Sequence, residues 1–197
     1  MIPDLLRTVY DYPARRESEL VVLAAAHTRV HFNREDCILR RGERAGAYYL
    51  LEAGLARSYV ADYTGREITT EFFRPGQLVI EVASLFQRIP SRSTLQALTE
   101  VTAYRIEYDV FQELFHRFEG FREWGRSWMA EQLFREKQRN VDTITLSATE
   151  RYRALLDQQP EVLAGAHLKH VASYLGITDS SLSRIRKEVA RSHRNLP

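Results

Sequence analysis

The sequence has a single cysteine and no long hydrophobic run. The one cysteine among its 197 residues, Cys37, cannot form a disulfide within the chain or supply a thiolate cluster. This excludes a disulfide scaffold and a cysteine-ligated zinc or iron–sulfur site in one chain. The longest apolar runs, such as Leu20 to Ala26, are far shorter than the roughly 20 residues of a membrane-spanning helix. We therefore expect a cytoplasmic protein with no membrane partner.

Apolar residues are nevertheless sufficient for a packed core. Hydrophobic residues make up 44% of the chain and charged residues 27%, which is typical of globular proteins. The length fits one large domain or two small ones. The net charge of +2 is unevenly divided, because the segment from Thr145 onward holds eight Lys or Arg against five Asp or Glu. A cationic patch near the C-terminus is compatible with nucleic-acid binding and equally with a solvated face.

The first half of the chain has the pattern of short β-strands separated by turns. Glycines at positions 42, 54, 65 and 76 lie in turn-like stretches between the apolar runs, about 8 to 14 residues apart. The spacing predicts an antiparallel β-roll, preceded by a helix over residues 17–27. The six predicted strands cover residues 28–32, 48–51, 55–60, 68–73, 95–98 and 102–106.

From Phe111 to Thr143 the apolar residues follow a helical period, which predicts one long helix or two. Two partners fit its apolar stripe: the β-roll of the same chain, or a second copy of the chain. We favour a homodimer, because two tryptophans on one stripe indicate a large buried contact. The predicted dimerisation residues are Phe121, Trp124, Trp128, Leu133 and Val141.

The C-terminal segment predicts a helix-turn-helix. Ser147 and Glu150 have the spacing of a capping box, so a helix begins there and ends before Pro160. Two short helices follow, joined at Gly176, with Thr178 as the cap of the second. Their apolar sides are formed by Leu168, Val171, Ala172, Leu175, Leu182, Ile185 and Val189.

The outer side of the second of these helices is polar and cationic. An arginine at position 184 can donate two hydrogen bonds to a guanine in the major groove, whereas Arg186, Lys187, Arg191 and Arg194 suit phosphates. We therefore predict double-stranded DNA as the partner. The predicted DNA-binding residues are Thr178, Ser180, Ser181, Ser183, Arg184 and Lys187.

These patterns together predict a two-domain α+β protein. Residues 1–110 form the β-roll sensory domain, residues 111–146 the long dimerisation helix and hinge, and residues 147–197 an all-α helix-turn-helix domain. This order of elements, with Ser183-Arg184 in the second helix, resembles the Crp/Fnr family of bacterial transcription regulators. The resemblance implies a homodimeric, DNA-binding regulator, with RNA polymerase as a further partner.

Two features depart from the family pattern in the helix-turn-helix domain. Ser180 stands where the family signature has a glutamate, so a carboxylate that could accept from cytosine N4 is missing and the family's base preference does not carry over. The sequence also ends ten residues after Lys187, so we expect the domain to lack a full β-wing.

The resemblance also places a cyclic-nucleotide cassette in the β-roll, and this cassette is degenerate. Glu81 matches the glutamate that accepts from a ribose hydroxyl, but Ile80 replaces the glycine before it. Ser91 occupies the phosphate-binding arginine position, and Arg92 follows one place late, which in a strand reverses the side chain. The candidate ligand-binding residues are Glu81, Ser91, Arg92 and Ser93. We expect no cyclic AMP and no other fixed cofactor, and leave open a small-molecule effector of another kind.

The alternative is a small-ligand-binding or metal-dependent β-barrel protein without site-specific DNA binding. His27 and His31 lie near the start of the roll, but no cluster of histidines and carboxylates follows them. The chain also has no phosphate-cradling glycine loop and no nucleophile elbow. We therefore predict that the protein is not an enzyme and has no metal site.

Overall fold

A computed structural model describes residues 2–13 and 15–194, with the side chains of residues 192–194 outside the description. Two helices come first, eight short strands and a third helix follow, and six helices complete the described chain. The helices are α1 Asp4–Val9, α2 Glu17–Ala25, α3 Val82–Gln87, α4 Tyr108–Arg117, α5 Glu119–Thr145, α6 Ala148–Gln158, α7 Pro160–Gly165, α8 Leu168–Tyr174 and α9 Asp179–Arg194.

The strands form two four-stranded antiparallel sheets, which confirms the predicted β-roll. The strand orders are β1-β8-β3-β6 and β2-β7-β4-β5. All six predicted strands are present, and the sequence missed only β2 and β6, which are three and two residues long. The strands are β1 Thr28–Phe32, β2 Cys37–Leu39, β3 Ala47–Ala53, β4 Ala56–Ala61, β5 Glu67–Phe73, β6 Leu78–Val79, β7 Thr94–Ala97 and β8 Val101–Glu107.

The inward-facing apolar residues of both sheets fill the roll. Leu50, Leu95 and Ile106 are almost completely buried in one continuous core. Gly54 permits the tight turn between β3 and β4, where φ is +94° and a Cβ atom would lie 2.2 Å from the Glu100 carbonyl oxygen. No other residue type fits this turn without moving the backbone.

An N-terminal segment that the sequence analysis did not predict closes the roll. Tyr10 is fully buried, and its hydroxyl lies 2.8 Å from both the Tyr48 hydroxyl and Nε2 of His27. The Trp124 indole nitrogen donates to the carbonyl of Val9 at 2.7 Å. Residues 2–13 therefore tie the beginning of α5 to the sheets.

The segment predicted as one long helix or two consists of two, α4 and α5, separated at Phe118, whose backbone is extended. The first half of α5 packs on the roll: Phe121 is fully buried, and Trp124 and Trp128 pack against the same core. Phe121 is therefore buried by its own chain, unlike the other predicted dimerisation residues farther along α5, and the dimerisation residues stay a prediction. A helical period indicates that a side chain is buried, but it does not identify the surface that buries it.

The C-terminal helices α6 to α9 share a second core with the roll. The predicted capping box is present: the Glu150 amide donates to the Ser147 hydroxyl at 3.2 Å and the Ser147 amide to the Glu150 carboxylate at 2.8 Å. Val162, Val171 and Leu182 form the centre of this core. Leu55, Phe72 and Leu98 of the roll extend the same cluster.

The two predicted domain boundaries lie at different kinds of position. Residue 110 falls inside α4, whereas residue 146 falls at the extended Leu146 between α5 and α6. The division into domains stays a prediction. The predicted lack of a full β-wing concerns the residues after α9. These are residues 195–197, which lie outside the described residues.

Candidate nucleic-acid interface

Helices α8 and α9 form the predicted helix-turn-helix. Gly176 in the turn has φ of +68°, a conformation that glycine adopts without strain. The Thr178 hydroxyl caps α9 by accepting from the Ser181 amide at 3.2 Å. Ala172 is buried where α8 lies against its neighbours, and Leu182, Ile185 and Val189 face the core.

The opposite side of α9 is open to solvent. Ser180, Ser183, Arg184 and Lys187 are exposed, at the i, i+3, i+4 and i+7 spacing that places them on one side of a helix. Ser181 is half-buried, and its hydroxyl lies 3.0 Å from the Thr178 hydroxyl, so these two predicted residues belong to the cap. Four of the six predicted DNA-binding residues thus form one surface, which we call the α9 polar face.

Further cations flank the α9 polar face. Arg186 and Arg191 are exposed on the same helix, whereas the side chain of Arg194 lies outside the description. Lys or Arg side chains at such positions can neutralise phosphates without reading sequence. The arrangement provides one central arginine with short hydroxyl side chains beside it and positive charge around it.

The helix-turn-helix is docked on the β-roll by its first helix. Ser173 of α8 accepts from the Thr69 amide of β5 at 3.1 Å, and Tyr174 lies against the Phe72 ring. Farther along, Arg74 donates to the Glu161 carboxylate at 2.7 Å. These contacts use α7 and α8 and leave the α9 polar face uncovered.

A buried arginine, which the sequence analysis missed, lies at the centre of this junction. Arg57 of β4 is 1% exposed and donates to Nδ1 of His170 at 2.8 Å, to the Gln96 side chain and to the Glu67 carboxylate. Its guanidinium also lies over the Tyr59 ring, with Cζ 4.1 Å from the ring centroid. No sequence signal identifies it, because an arginine in a short strand is normally assigned to the solvent side.

His170 is held neutral by this contact. Its pKa is lowered to about 4, because burial and the nearby Arg57 charge both disfavour the imidazolium. An Nδ1 atom that accepts from Arg57 requires the proton to be on Nε2. His170 therefore contributes a neutral acceptor to the junction, beside the Glu67 carboxylate and the Gln96 side chain that Arg57 also contacts.

The candidate ligand-binding residues of the roll are occupied by local structure. Glu81 caps α3 by accepting from the Ser84 amide at 2.6 Å. Ser91 is buried, and its hydroxyl donates to the Ser93 carbonyl at 2.7 Å and accepts from the Ser93 amide. Arg92 is exposed, whereas Ser91 and Ser93 on either side of it are buried. The four residues lie close in sequence, but the structure assigns two of them, Glu81 and Ser91, to capping and to a turn.

The second half of α5 carries exposed apolar side chains. Leu133 is 67% exposed and Val141 44%, so these two predicted dimerisation residues differ from the buried Phe121. We call this surface the α5 apolar face. Its members are Met129, Leu133, Phe134, Val141 and Ile144.

Neither histidine near the start of the roll belongs to a metal cluster in the described part of the chain. His27 contacts the Tyr10 hydroxyl and the Leu23 carbonyl, and no three His, Cys, Asp or Glu side chains among the described residues could hold one ion. No helix in residues 2–13 or 15–194 is long and apolar enough to cross a membrane.

Comparison with known proteins agrees with this architecture. Residues 29–118 match the family model of the cyclic nucleotide-binding domain, whereas none of the curated proteins matches the sequence. Among solved structures, FixK2 from Bradyrhizobium japonicum aligns with a TM-score of 0.74 at 18% identity, over 85% of this chain and 86% of that one.

Two other solved structures are similar over most of their length. The c-di-GMP responsive global regulator CLP of Xanthomonas campestris has a TM-score of 0.69 at 18% identity, covering 90% of this chain and 93% of that one. A putative Crp/Fnr-family transcriptional regulator from Eubacterium rectale has a TM-score of 0.70 at 14% identity, covering 90% and 85%. Residues 29–118 thus match the model of a cyclic nucleotide-binding domain, and the chain shares its fold with solved structures of Crp/Fnr-type transcription regulators.

Proposed function

We propose that the protein is a sequence-specific, DNA-binding transcription regulator of the Crp/Fnr type and not an enzyme. The α9 polar face carries the proposal: Arg184 is exposed among short hydroxyl side chains, on a helix whose other side is buried. A recognition helix in the major groove needs this division between a packed side and a polar side. Arg184 would donate to a guanine edge, and Arg186, Lys187 and Arg191 would contact phosphates.

The test is a selection of bound fragments from random genomic DNA, followed by sequencing, at two salt concentrations. We expect an enriched two-fold symmetric motif that Arg184→Ala abolishes, with an affinity that falls steeply as salt rises. Arg66→Ala is the matched control, because Arg66 is an exposed arginine in the turn between β4 and β5. Enrichment of no motif, or an equal loss in both variants, would contradict the proposal.

The DNA-binding form is a homodimer joined through the α5 apolar face. Leu133 and Ile144, at 67% and 85% exposure, are large apolar side chains that water does not favour. Each lies on a helix that leads directly to α6 and the helix-turn-helix, so pairing two copies of α5 would set the distance between two recognition helices. Half-sites about 34 Å apart, one turn of DNA, suit such a pair.

Cyclic AMP is not the effector of this regulator. The cassette has Ser91 where the phosphate-binding arginine is expected, and the Ser91 hydroxyl is already bonded to the Ser93 backbone. Arg92 is exposed and follows a residue whose side chain is buried. Calorimetric titration with cyclic AMP should give no binding heat, and Arg92→Ala should behave as the wild type. A saturable, Arg92-dependent heat would contradict this statement.

A further inference from the structure

A cavity of about 510 Å³ lies between the N-terminal segment, the β-roll and the first half of α5. Its walls come from residues 5–13, from β5 and the turn that follows it, and from residues 123–135 of α5. Small-molecule sites commonly enclose about 300–1,000 Å³. Glu81, Ser91, Arg92 and Ser93 do not line it, so it is separate from the cyclic-nucleotide cassette.

Aromatic side chains in fixed orientations form one part of the wall. The Trp124 indole donates to the Val9 carbonyl at 2.7 Å and stacks parallel to Phe121, with ring centroids 5.2 Å apart. Tyr12 lies so close to Gly120 that a Cβ atom there would be 2.5 Å from the Tyr12 ring. Trp128 lines the cavity one helical turn after Trp124. The Trp124 and Tyr12 rings are thus held in place by contacts within the chain.

Carboxylates outnumber cations around the cavity. Four acidic side chains line it, Asp11, Glu71, Glu123 and Glu131, against the single cation Arg135. Asp11 lies 3.7 Å from Arg15, and Glu123 forms an ion pair with Arg126. The side chains of Glu71 and Glu131 make no direct hydrogen bond or ion pair among the described residues, whereas Arg135 and Arg139 act on the Glu71 charge from farther away. The cavity wall therefore has an excess of negative charge, which the nearby arginines offset only in part.

Glu71 is the carboxylate most affected by its surroundings. Burial raises its pKa to about 7, and the negative charge of Glu136 acts in the same direction, whereas Arg135 and Arg139 oppose it. Tyr174 of α8 is the other titratable group close to this carboxylate. A bound cation would favour the ionised form of Glu71 and lower its pKa.

We propose that this cavity binds an organic cation: a quaternary ammonium or protonated amine that carries an apolar ring or chain. Indole faces attract such cations, and partly buried carboxylates add a charge interaction that water screens weakly. The apolar body of the ligand would contact Leu5, Val9 and Leu78. An anionic ligand would be repelled by the same carboxylates.

The experiment is a titration of the full chain with benzyltrimethylammonium, followed by tryptophan fluorescence and repeated by calorimetry. The two tryptophans of the chain both line the cavity, so their emission reports on this site. We expect a saturable change with the cation, and no saturable change with benzyl alcohol or benzoate at the same concentrations. An equal response to benzyl alcohol, or no response to the cation, would overturn the proposal.

The variant Glu71→Gln separates a binding role from a structural one. It keeps the shape of the side chain and removes a charge that burial disfavours, so it should fold at least as well as the wild type. We expect it to bind the cation about tenfold more weakly. The exposed Glu113 lies outside the cavity, and Glu113→Gln should bind as the wild type does. Equal affinities of the two variants would contradict the proposal.

The pH dependence gives a second readout. The wild-type affinity for the cation should rise between about pH 6 and pH 8, as Glu71 ionises, and the affinity of Glu71→Gln should change much less. Identical pH profiles would exclude Glu71 as a ligand-binding residue. Because no DNA is present, the result does not depend on the proposed DNA binding.

Discussion

The C-terminal helices and the second half of α5 both carry apolar residues, but only the C-terminal helices cover theirs within the chain. Leu55, Phe72 and Leu98 of the β-roll complete the core of helices α6 to α9. Leu133 and Ile144 of α5 have no comparable cover and are 67% and 85% exposed. The packed contact between helices α6 to α9 and the roll, which we call the closed interface, fixes the position of the helix-turn-helix. The exposed α5 apolar face, which we call the open face, is instead available to a second copy of the chain.

The largest expected effect comes from breaking the closed interface. Leu98 is 1% exposed within the shared core, so Leu98→Ala should lower the free energy of unfolding by about 3 kcal/mol. Val21 is 52% exposed on α2, and Val21→Ala should change the free energy of unfolding by less than about 0.5 kcal/mol. Denaturant unfolding followed by circular dichroism measures both. Equal effects would mean that Leu98 does not contribute to a packed interface between the roll and the C-terminal helices.

The closed interface should also be sensitive to acid. His170 stays neutral when folded because its pKa is lowered to about 4, while in the unfolded chain it takes up a proton near pH 6.5. The contribution of neutral His170 to the free energy of unfolding is therefore complete above about pH 6.5 and is lost as the pH falls toward 4. The loss between pH 7 and pH 4 should be up to about 3 kcal/mol.

The variant His170→Gln isolates this contribution from the other titrating groups. Its amide oxygen can still accept from Arg57, but the side chain no longer titrates. The free energy of unfolding of wild type minus that of the variant should fall as the pH is lowered. A difference that is independent of pH would contradict the assignment of His170 as a neutral acceptor.

A charged substitution on the open face should weaken the self-association of the chain and leave its folding unchanged. Leu133→Glu should weaken self-association by about 2 kcal/mol, roughly thirtyfold, because a carboxylate would be buried between two copies. Light scattering across a dilution series measures it. Val21→Glu makes the same kind of change on another exposed apolar residue and should leave the association unchanged. Wild-type association of Leu133→Glu would remove α5 from the dimer interface.

The smallest effect is expected where the two regions meet. Ser147 caps α6 directly after the end of α5, and Ser147→Ala removes the hydroxyl that accepts from the Glu150 amide. The free energy of unfolding should fall by about 1 kcal/mol. Thr143→Ala is a suitable control, since that hydroxyl donates only to the Arg139 carbonyl within α5. Thermal unfolding of both variants gives the comparison.

Local patterns were sufficient to predict the helix-turn-helix. The spacing of Leu182, Ile185 and Val189 places them on one side of a helix, and that side is buried. Gly176 and the Ser147 capping box mark turns and helix starts by their own chemistry, which does not depend on distant residues.

The tertiary contacts could not be predicted from the sequence. Phe121 and Leu133 follow the same apolar pattern, yet one is buried on the roll and the other is exposed. Arg57 and His170 are 113 positions apart, and no periodicity connects them. The N-terminal helix α1 has six residues, too few for a periodic signal, so its contribution to the cavity was missed.

The most direct test of the central claim is a hydroxyl-radical footprint of the protein on its selected DNA site, with the mass of the complex measured in parallel. We predict two chains per duplex and two protected regions, centred about 34 Å apart, related by two-fold symmetry and lost with Arg184→Ala. A single protected region, one chain per duplex, or protection that Arg184→Ala leaves intact would contradict a dimer that reads DNA through the α9 polar face.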